Sequence, residues 1–289
     1  MKRMTADAAV RFVLAAAFLL PAQSTLAAST RYGLEADVVY DDNASRGLYS
    51  ADQKADTILS AEGFIAKSVQ LGARGGAVFR GSARYSQFFE FKDISNLTVS
   101  GRAAYRYQFG GGFSSPWIEA AAELQLLRHA DSDLRDGSIV SVGASGGSHV
   151  TDRVRVAAGL DVAERSGGEP GLYDLSTNRL WGTFDYRVGL RNTIYARLSR
   201  VAGDHVYNSV TVTGLSGVWA LDPALASGFG GRAPDAYRLD ATTLIFELGL
   251  NYPLSGTQAL DFSFLRFNSK ADVGDYDGNQ VRASYLHRF

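Results

Sequence analysis

From about residue 31 onward, apolar and polar residues alternate with a period of two. In the stretch 32–40, Tyr32, Leu34, Ala36, Val38 and Tyr40 share one face, and Gly33, Glu35, Asp37 and Val39 the other. Leu97, Val99, Gly101, Ala103 and Tyr105 oppose Thr98, Ser100, Arg102, Ala104 and Arg106 in the same way. So do Leu244, Phe246, Leu248, Leu250 and Tyr252 against Ile245, Glu247, Gly249 and Asn251. Successive side chains of a strand point to opposite faces, so alternation this long means strands with one apolar and one polar face.

Twelve such segments fall near 31–42, 56–68, 76–91, 96–109, 116–130, 138–150, 154–166, 177–189, 193–206, 241–254, 258–270 and 278–289. Each is about as long as the ~9–11 residues that a tilted membrane-crossing strand needs. Connections after the even-numbered segments are short, such as 151–153 and 255–257; those after the odd ones tend to be longer and polar, such as 131–137. The pattern predicts an all-β fold: a transmembrane antiparallel up-and-down β-barrel of twelve strands, with both termini on the short-turn, periplasmic side. A soluble sandwich or lipocalin-like barrel would instead point its apolar face inward. Two features favour the membrane. The polar face has few Lys but many small residues and Arg–acid combinations, as an enclosed aqueous lumen would. The apolar face gathers Tyr32, Tyr40, Tyr105, Tyr107, Phe109, Tyr252, Tyr285 and Phe289 near strand ends, where interfacial aromatic girdles lie.

Residues 1–27 follow another pattern. Lys2, Arg3 and Arg11 precede the apolar run Phe12–Leu20, and small residues follow up to Ala27. That order predicts a cleaved secretory signal peptide, with residues 28–289 as a single barrel domain. The run is about half the ~20 residues of a spanning helix, and no later stretch approaches that length. Composition narrows the function. Across 289 residues, 29 Lys and Arg stand against 30 Asp and Glu, a balance that argues against a nucleic-acid partner. The absence of Cys removes lipoprotein anchors, thiolate metal sites and thiol catalysis. No cofactor or resident metal is predicted.

The final segment, Gln280-Val281-Arg282-Ala283-Ser284-Tyr285-Leu286-His287-Arg288-Phe289, resembles the C-terminal recognition strand of Gram-negative outer-membrane barrels. The resemblance implies residence in the bacterial outer membrane and contact with its lipid and lipopolysaccharide. It also implies handling by the barrel-insertion machinery, with Tyr285 and Phe289 as the insertion signal. A narrower likeness lies in residues 39–46 and in the last hairpin, 265–269 and 275–281. These look like the ends of the barrel in surface lipoprotein assembly modifiers and related exopolysaccharide-system barrels. That likeness implies a helper in surface export or assembly.

With the apolar face outward, the inward positions carry Arg80, Arg84, Arg102 and Arg106, flanked by Glu35, Asp37, Glu62, Glu119 and Glu123. Farther round, Arg155, Arg179, Arg187 and Arg197 interleave with Asp161, Asp185, Glu247 and Asp261. Such lining either orients small polar solutes or pairs internally because unpaired lumen charge is costly. The connection 207–241 is unusually long and contains Trp219, Asp222 and Pro223, which suits an inserted or capping gate. Acids at the outer rim, including Asp41, Asp42 and Asp136, read as solvated loop charge. They lack calcium-loop spacing.

Some outer-membrane barrels hydrolyse lipid. Here His129 and His205 lie at the predicted outer rim, but without the His-x-Ser arrangement of outer-membrane phospholipase. The sequence therefore predicts a non-catalytic, narrow or gated channel for small polar solutes, with the arginine patch favouring anions. The export helper is the second reading and an outer-leaflet lipid hydrolase the third.

Overall fold

The computed structural model describes residues 28–168, 171–209, 235–272 and 274–289. The leader, 1–27, and the gate residues Trp219, Asp222 and Pro223 lie outside the described residues. The strands are β1 (Ala28–Asp41), β2 (Asp56–Leu71), β3 (Gly75–Phe88), β4 (Asn96–Gln108), β5 (Trp117–His129) and β6 (Gly137–His149), then β7 (Val154–Ser166), β8 (Leu175–Val188), β9 (Asn192–Ser209), β10 (Asp235–Pro253), β11 (Gln258–Ala271) and β12 (Gly274–Arg288). Each pairs antiparallel with its sequence neighbours, and β1 pairs with β12 from Gly33↔Arg288 to Asp41↔Gln280, closing the barrel. Closure leaves no unpaired edge, which a strand in lipid cannot tolerate.

The alternation sets the inside and outside. Leu34, Val99, Leu160, Leu180, Phe246 and Phe264 are exposed on the outer surface, while Asp37, Ser60, Ser199, Glu247 and Ser284 are buried within. A soluble protein could not expose such a belt; a bilayer solvates it. Tyr32, Tyr40, Tyr105, Phe109 and Tyr252 lie exposed toward the belt's margins.

Two features depart from the sequence pattern. The first is the 207–241 connection: its flanks are paired strand, from Asp240↔Asp204 through Tyr237↔Tyr207 to Asp235↔Ser209. Likewise β12 begins at Gly274 rather than at 278. In both places the polarity of the alternation inverts. Below, β10 points Thr243 and Glu247 inward and Leu244 and Phe246 outward. Above, it points Tyr237, Leu239 and Ala241 inward, with Arg238 and Asp240 between them. Above the lipid, water solvates the outside, so the apolar residues turn in. The second departure is in loop length. The periplasmic connection 109–116 is long, whereas 272–273 alone join β11 to β12 on the outer side.

The packed apolar groups sit at this outer end. Leu48, Tyr207, Tyr237, Leu239, Phe267 and Tyr276 form one cluster. Leu134, Leu172, Tyr173 and Ala236, with Val206, form another. Tyr207 and Val206 face opposite ways along β9, so the described upper part of the β9–β10 hairpin is packed on both faces. Gly203, with φ +126, sits where β9 bends away from β8; a side chain there would meet the Ser176 carbonyl.

Candidate functional site

The lumen wall is a set of short ion-pair networks. On β3, Arg84 donates to both carboxylate oxygens of Asp37 (2.6 and 2.8 Å) and lies 3.5 Å from Glu62. Arg80 donates to Glu62 at 2.6 Å and stacks over Phe64, its guanidinium carbon 4.1 Å from the ring centre. On β4, Arg102 and Arg106 converge on Glu119, at 3.0 and 2.8 Å. Glu123 accepts from Gln125 at 2.8 Å. Strand pairing places these groups side by side: Arg84 stands opposite Glu62, Arg80 opposite Arg102, and Arg106 opposite Glu119. Glu35 stands opposite Glu62 in the β1–β2 register, two residues from Asp37, and lines a cavity that reaches toward the periplasmic end.

The other wall repeats the device. Arg179 lies 3.3 Å from Asp161, which also accepts from the Trp181 indole at 2.9 Å; Arg155 lies 3.7 Å from Asp185. Glu247 is shared by Arg197 (2.8 Å) and Arg282 (3.3 Å), and Asp261 by Arg282 (3.5 Å) and the Tyr195 hydroxyl (2.8 Å). Trp117 sits among the charges with Arg106 at 4.1 Å and Arg155 at 5.8 Å from its ring. Arg282, Tyr195 and Trp117 escape a reading that looks for clusters of charge. Strand parity would have found Arg282, because it shares the inward face of β12 with Ser284.

At the outer end, the segment after β1 reaches from that strand to the β9–β10 hairpin. Residues 42–55, between β1 and β2, are held down by buried polar contacts. The Asn43 side chain donates to the Asp277 carbonyl (2.9 Å) and accepts from the Gly47 N–H (2.9 Å). The Asn208 side chain, on the β9–β10 hairpin, donates to the Ser45 carbonyl at 2.5 Å, and Gly47 bridges to Asn208. Arg46 adopts φ +54, pairs with Asp41 (2.9 Å) and stacks over Phe267 (4.6 Å). Leu48 reaches the aromatic cluster. Asp41 and Asp42 are therefore not solvated rim charge. Asp41 is 1% exposed and binds Arg46, the Asn43 N–H and Gln280. Asp42 accepts from Asn279. A chain in loop conformation leaves many backbone groups free, and these carboxylates and amides satisfy them.

The histidines do not assemble a hydrolase triad among the described residues. His129 faces Asp136 at 3.3 Å, with no hydroxyl on its other nitrogen. His205 meets Thr243 Oγ1 at 3.0 Å, but its Nδ1 faces the Gly203 carbonyl rather than a carboxylate. Thr243 donates to Ser269 (2.7 Å), which meets the Tyr207 hydroxyl (2.8 Å). A nucleophile needs a base that a third group orients, and neither histidine has both partners. No group of three or more acidic or histidine side chains is placed to hold a metal among the described residues.

No protein-family model matches the chain, and no curated protein sequence does. Among solved structures it is similar to an outer-membrane channel from Pseudomonas putida F1, at 12% identity and a TM-score of 0.59, over 94% of this chain and 100% of that one. It is also similar to the KdgM porin in complex with disordered oligogalacturonate (12% identity, TM-score 0.49, 89% and 99% covered). A third is an anion-selective porin from Comamonas acidovorans (10%, 0.42, 91% and 100%). At such identities the likeness speaks for fold alone, and of the three the Pseudomonas putida channel overlaps closely enough to argue from. The narrower likeness to assembly-modifier barrels finds no support in them. The closed twelve-stranded barrel and this likeness together give the chain the fold of outer-membrane β-barrel proteins, and its outward apolar belt suits a bilayer.

Proposed function

We propose that the chain forms a narrow outer-membrane channel for small polar solutes, with a preference for anions. The observation that carries this reading is the uneven exposure within the lumen ion pairs. The side chains of Arg80, Arg84, Arg102 and Arg106 are 39, 33, 46 and 48% exposed, against 14, 2 and 14% for Glu62, Asp37 and Glu119. Carboxylates lie against the wall and guanidiniums front the water. A passing solute meets N–H donors first, while the charge behind them keeps the wall near neutrality. Arg197 and Arg282 front the buried Glu247 in the same manner. The preference is therefore gentler than four uncompensated arginines would impose. Residues 42–55 and the top of the β9–β10 hairpin limit the opening at the outer end.

The test is single-channel recording of the refolded chain in a planar bilayer, with reversal potentials in a potassium chloride gradient. Small, stable steps with anion preference are expected. Arg80→Gln with Arg102→Gln should move selectivity toward cations, because Glu62 and Glu119 lose part of their cover. A folded barrel that never conducts, or a double variant with unchanged selectivity, overturns the proposal.

A further inference from the structure

An arginine stands on the apolar outer surface without a carboxylate beside it. Across β8–β10 that surface presents Leu180, Leu198, Leu244 and Phe246, all exposed. Arg200 belongs to the same face: it lies in register with Leu180 on one side and Leu244 on the other, and it is exposed. One row nearer the outer end the face turns polar, with Asn178 and Thr242 both in register with Ala202 and so diagonal to Arg200. Two other outward arginines are neutralised, Arg128 by Asp136 at 3.0 Å and Arg266 by Asp277 at 3.1 Å. Arg200 lies with Nη2 3.4 Å from Thr242 Oγ1, and no carboxylate pairs with it among the described residues. On β9 and β10 the acids of this face, Asp204 and Asp240, stand two rows higher, and Asp204 accepts from the Ser176 N–H at 3.0 Å. A charge on the lipid face is costly toward the midplane and tolerated toward the interface. A long side chain reaches that level by laying its stem along apolar neighbours and lifting its head. Arg200 has this posture, flanked by leucines and turned toward Thr242.

We infer that Arg200, with Asn178 and Thr242, seats the phosphate of a lipid headgroup in the outer leaflet. The planar guanidinium fork matches two phosphate oxygens, and the Asn178 amide and Thr242 hydroxyl each offer a further donor. The acyl chains of the same lipid lie along Leu180, Leu198, Leu244 and Phe246, which gives the lipid a contact area that a free phosphate ion lacks. The counter-charge that the wall withholds is thus supplied by the membrane. Nothing in this inference depends on whether the barrel conducts.

The experiment is native mass spectrometry of the refolded chain, released from neutral detergent after incubation with lipid A or with the same lipid stripped of its phosphates. The phosphorylated lipid should be retained about five-fold more, the factor expected of one cation at an anionic lipid surface. Arg200→Gln should remove that preference, whereas Arg128→Gln, elsewhere on the wall, should leave it. Inorganic phosphate at millimolar concentration should not displace the lipid. Heat-shifted gel mobility reports whether each variant is folded. Should Arg200→Gln not fold, Arg200→Lys decides instead: it keeps the charge without the fork and should retain phosphorylated lipid more weakly than the natural chain. Equal retention by that variant, equal retention of the two lipids, or a preference that survives Arg200→Gln overturns the site. Loss of the preference in Arg128→Gln as well would make it a matter of overall charge, and displacement by inorganic phosphate would make it a free-anion site; either result overturns the lipid seat.

Discussion

Arg84 and Asp37 show what one residue contributes to this lumen. Asp37 is 2% exposed, and Arg84 is the one side chain among the described residues that pairs with it, through two short hydrogen bonds. Arg84→Ala strands that carboxylate. Comparable losses cost about 3–5 kcal/mol, and the partial exposure of Arg84 places this one toward the lower end. Arg84→Ala with Asp37→Asn should recover most of the loss, read as urea midpoints of barrel unfolding. Asp136, in the loop between β5 and β6, gives a pH signature. Burial pushes its carboxyl up, but hydrogen bonds from the His129 N–H (2.6 Å), Arg128 (3.0 Å) and the His129 ring outweigh that and hold it below its ordinary value of 3.8. A depressed carboxyl stabilises the fold above its unfolded value and loses that contribution as pH falls through the folded one. The urea-midpoint gap between the natural chain and Asp136→Asn should therefore hold at neutral pH and close below about pH 3.8. A gap that persists in stronger acid would assign the loop's order to other contacts.

Among elements, the segment 42–55 reaches from β1 to the β9–β10 hairpin, and on the channel reading it limits passage. A loop of mostly polar residues has no apolar stripe to bury, and it is fixed instead by Asn43, Ser45 and Asn208, each nearly inaccessible to solvent. Gly47 permits the fold-back, since a Cβ there would sit 2.5 Å from the Asp52 carbonyl carbon. Replacing residues 44–53 with a two-residue turn should raise single-channel conductance several-fold. Unchanged conductance would move the constriction elsewhere. The β9–β10 hairpin illustrates a limit of pattern reading. Its upper part keeps the period of two yet reverses which face is apolar, so a template demanding apolar residues outside stops at Ala241. The chain continues as paired strand to Asp235.

At the scale of the whole molecule, closure between β1 and β12 makes the two ends of the described chain neighbours. The Phe289 backbone N–H donates to the Tyr32 carbonyl at 3.0 Å, its ring is 71% exposed and its aromatic contact is with His287. Tyr285 is likewise exposed on the outer surface. Neither ring packs inside the barrel, so removing Phe289 should leave refolding into detergent nearly unchanged. If these two rings are the insertion signal, the same deletion should sharply lower the amount that reaches the outer membrane in cells, read by fractionation. Equal loss in both settings would make Phe289 a structural residue instead.

The sequence by itself determined the strands, their number, the face each turns to lipid and hence the inward arginines and acids, because a period of two is a local property of the backbone. Every one of the twelve segments has its strand, with ends displaced by a few residues. Tertiary structure alone decided which charges meet. Asp37 and Arg84 are 47 positions apart and Arg197 and Glu247 are 50 apart, and each pairing depends on strand register and side-chain reach across the wall. It also decided where residues 42–55 are anchored, since Asp277 and Asn208 lie on the far side of the sequence. Alternation reports what faces water or lipid. What a polar side chain touches once it faces inward is set by the curvature of a closed barrel, and no local pattern encodes that.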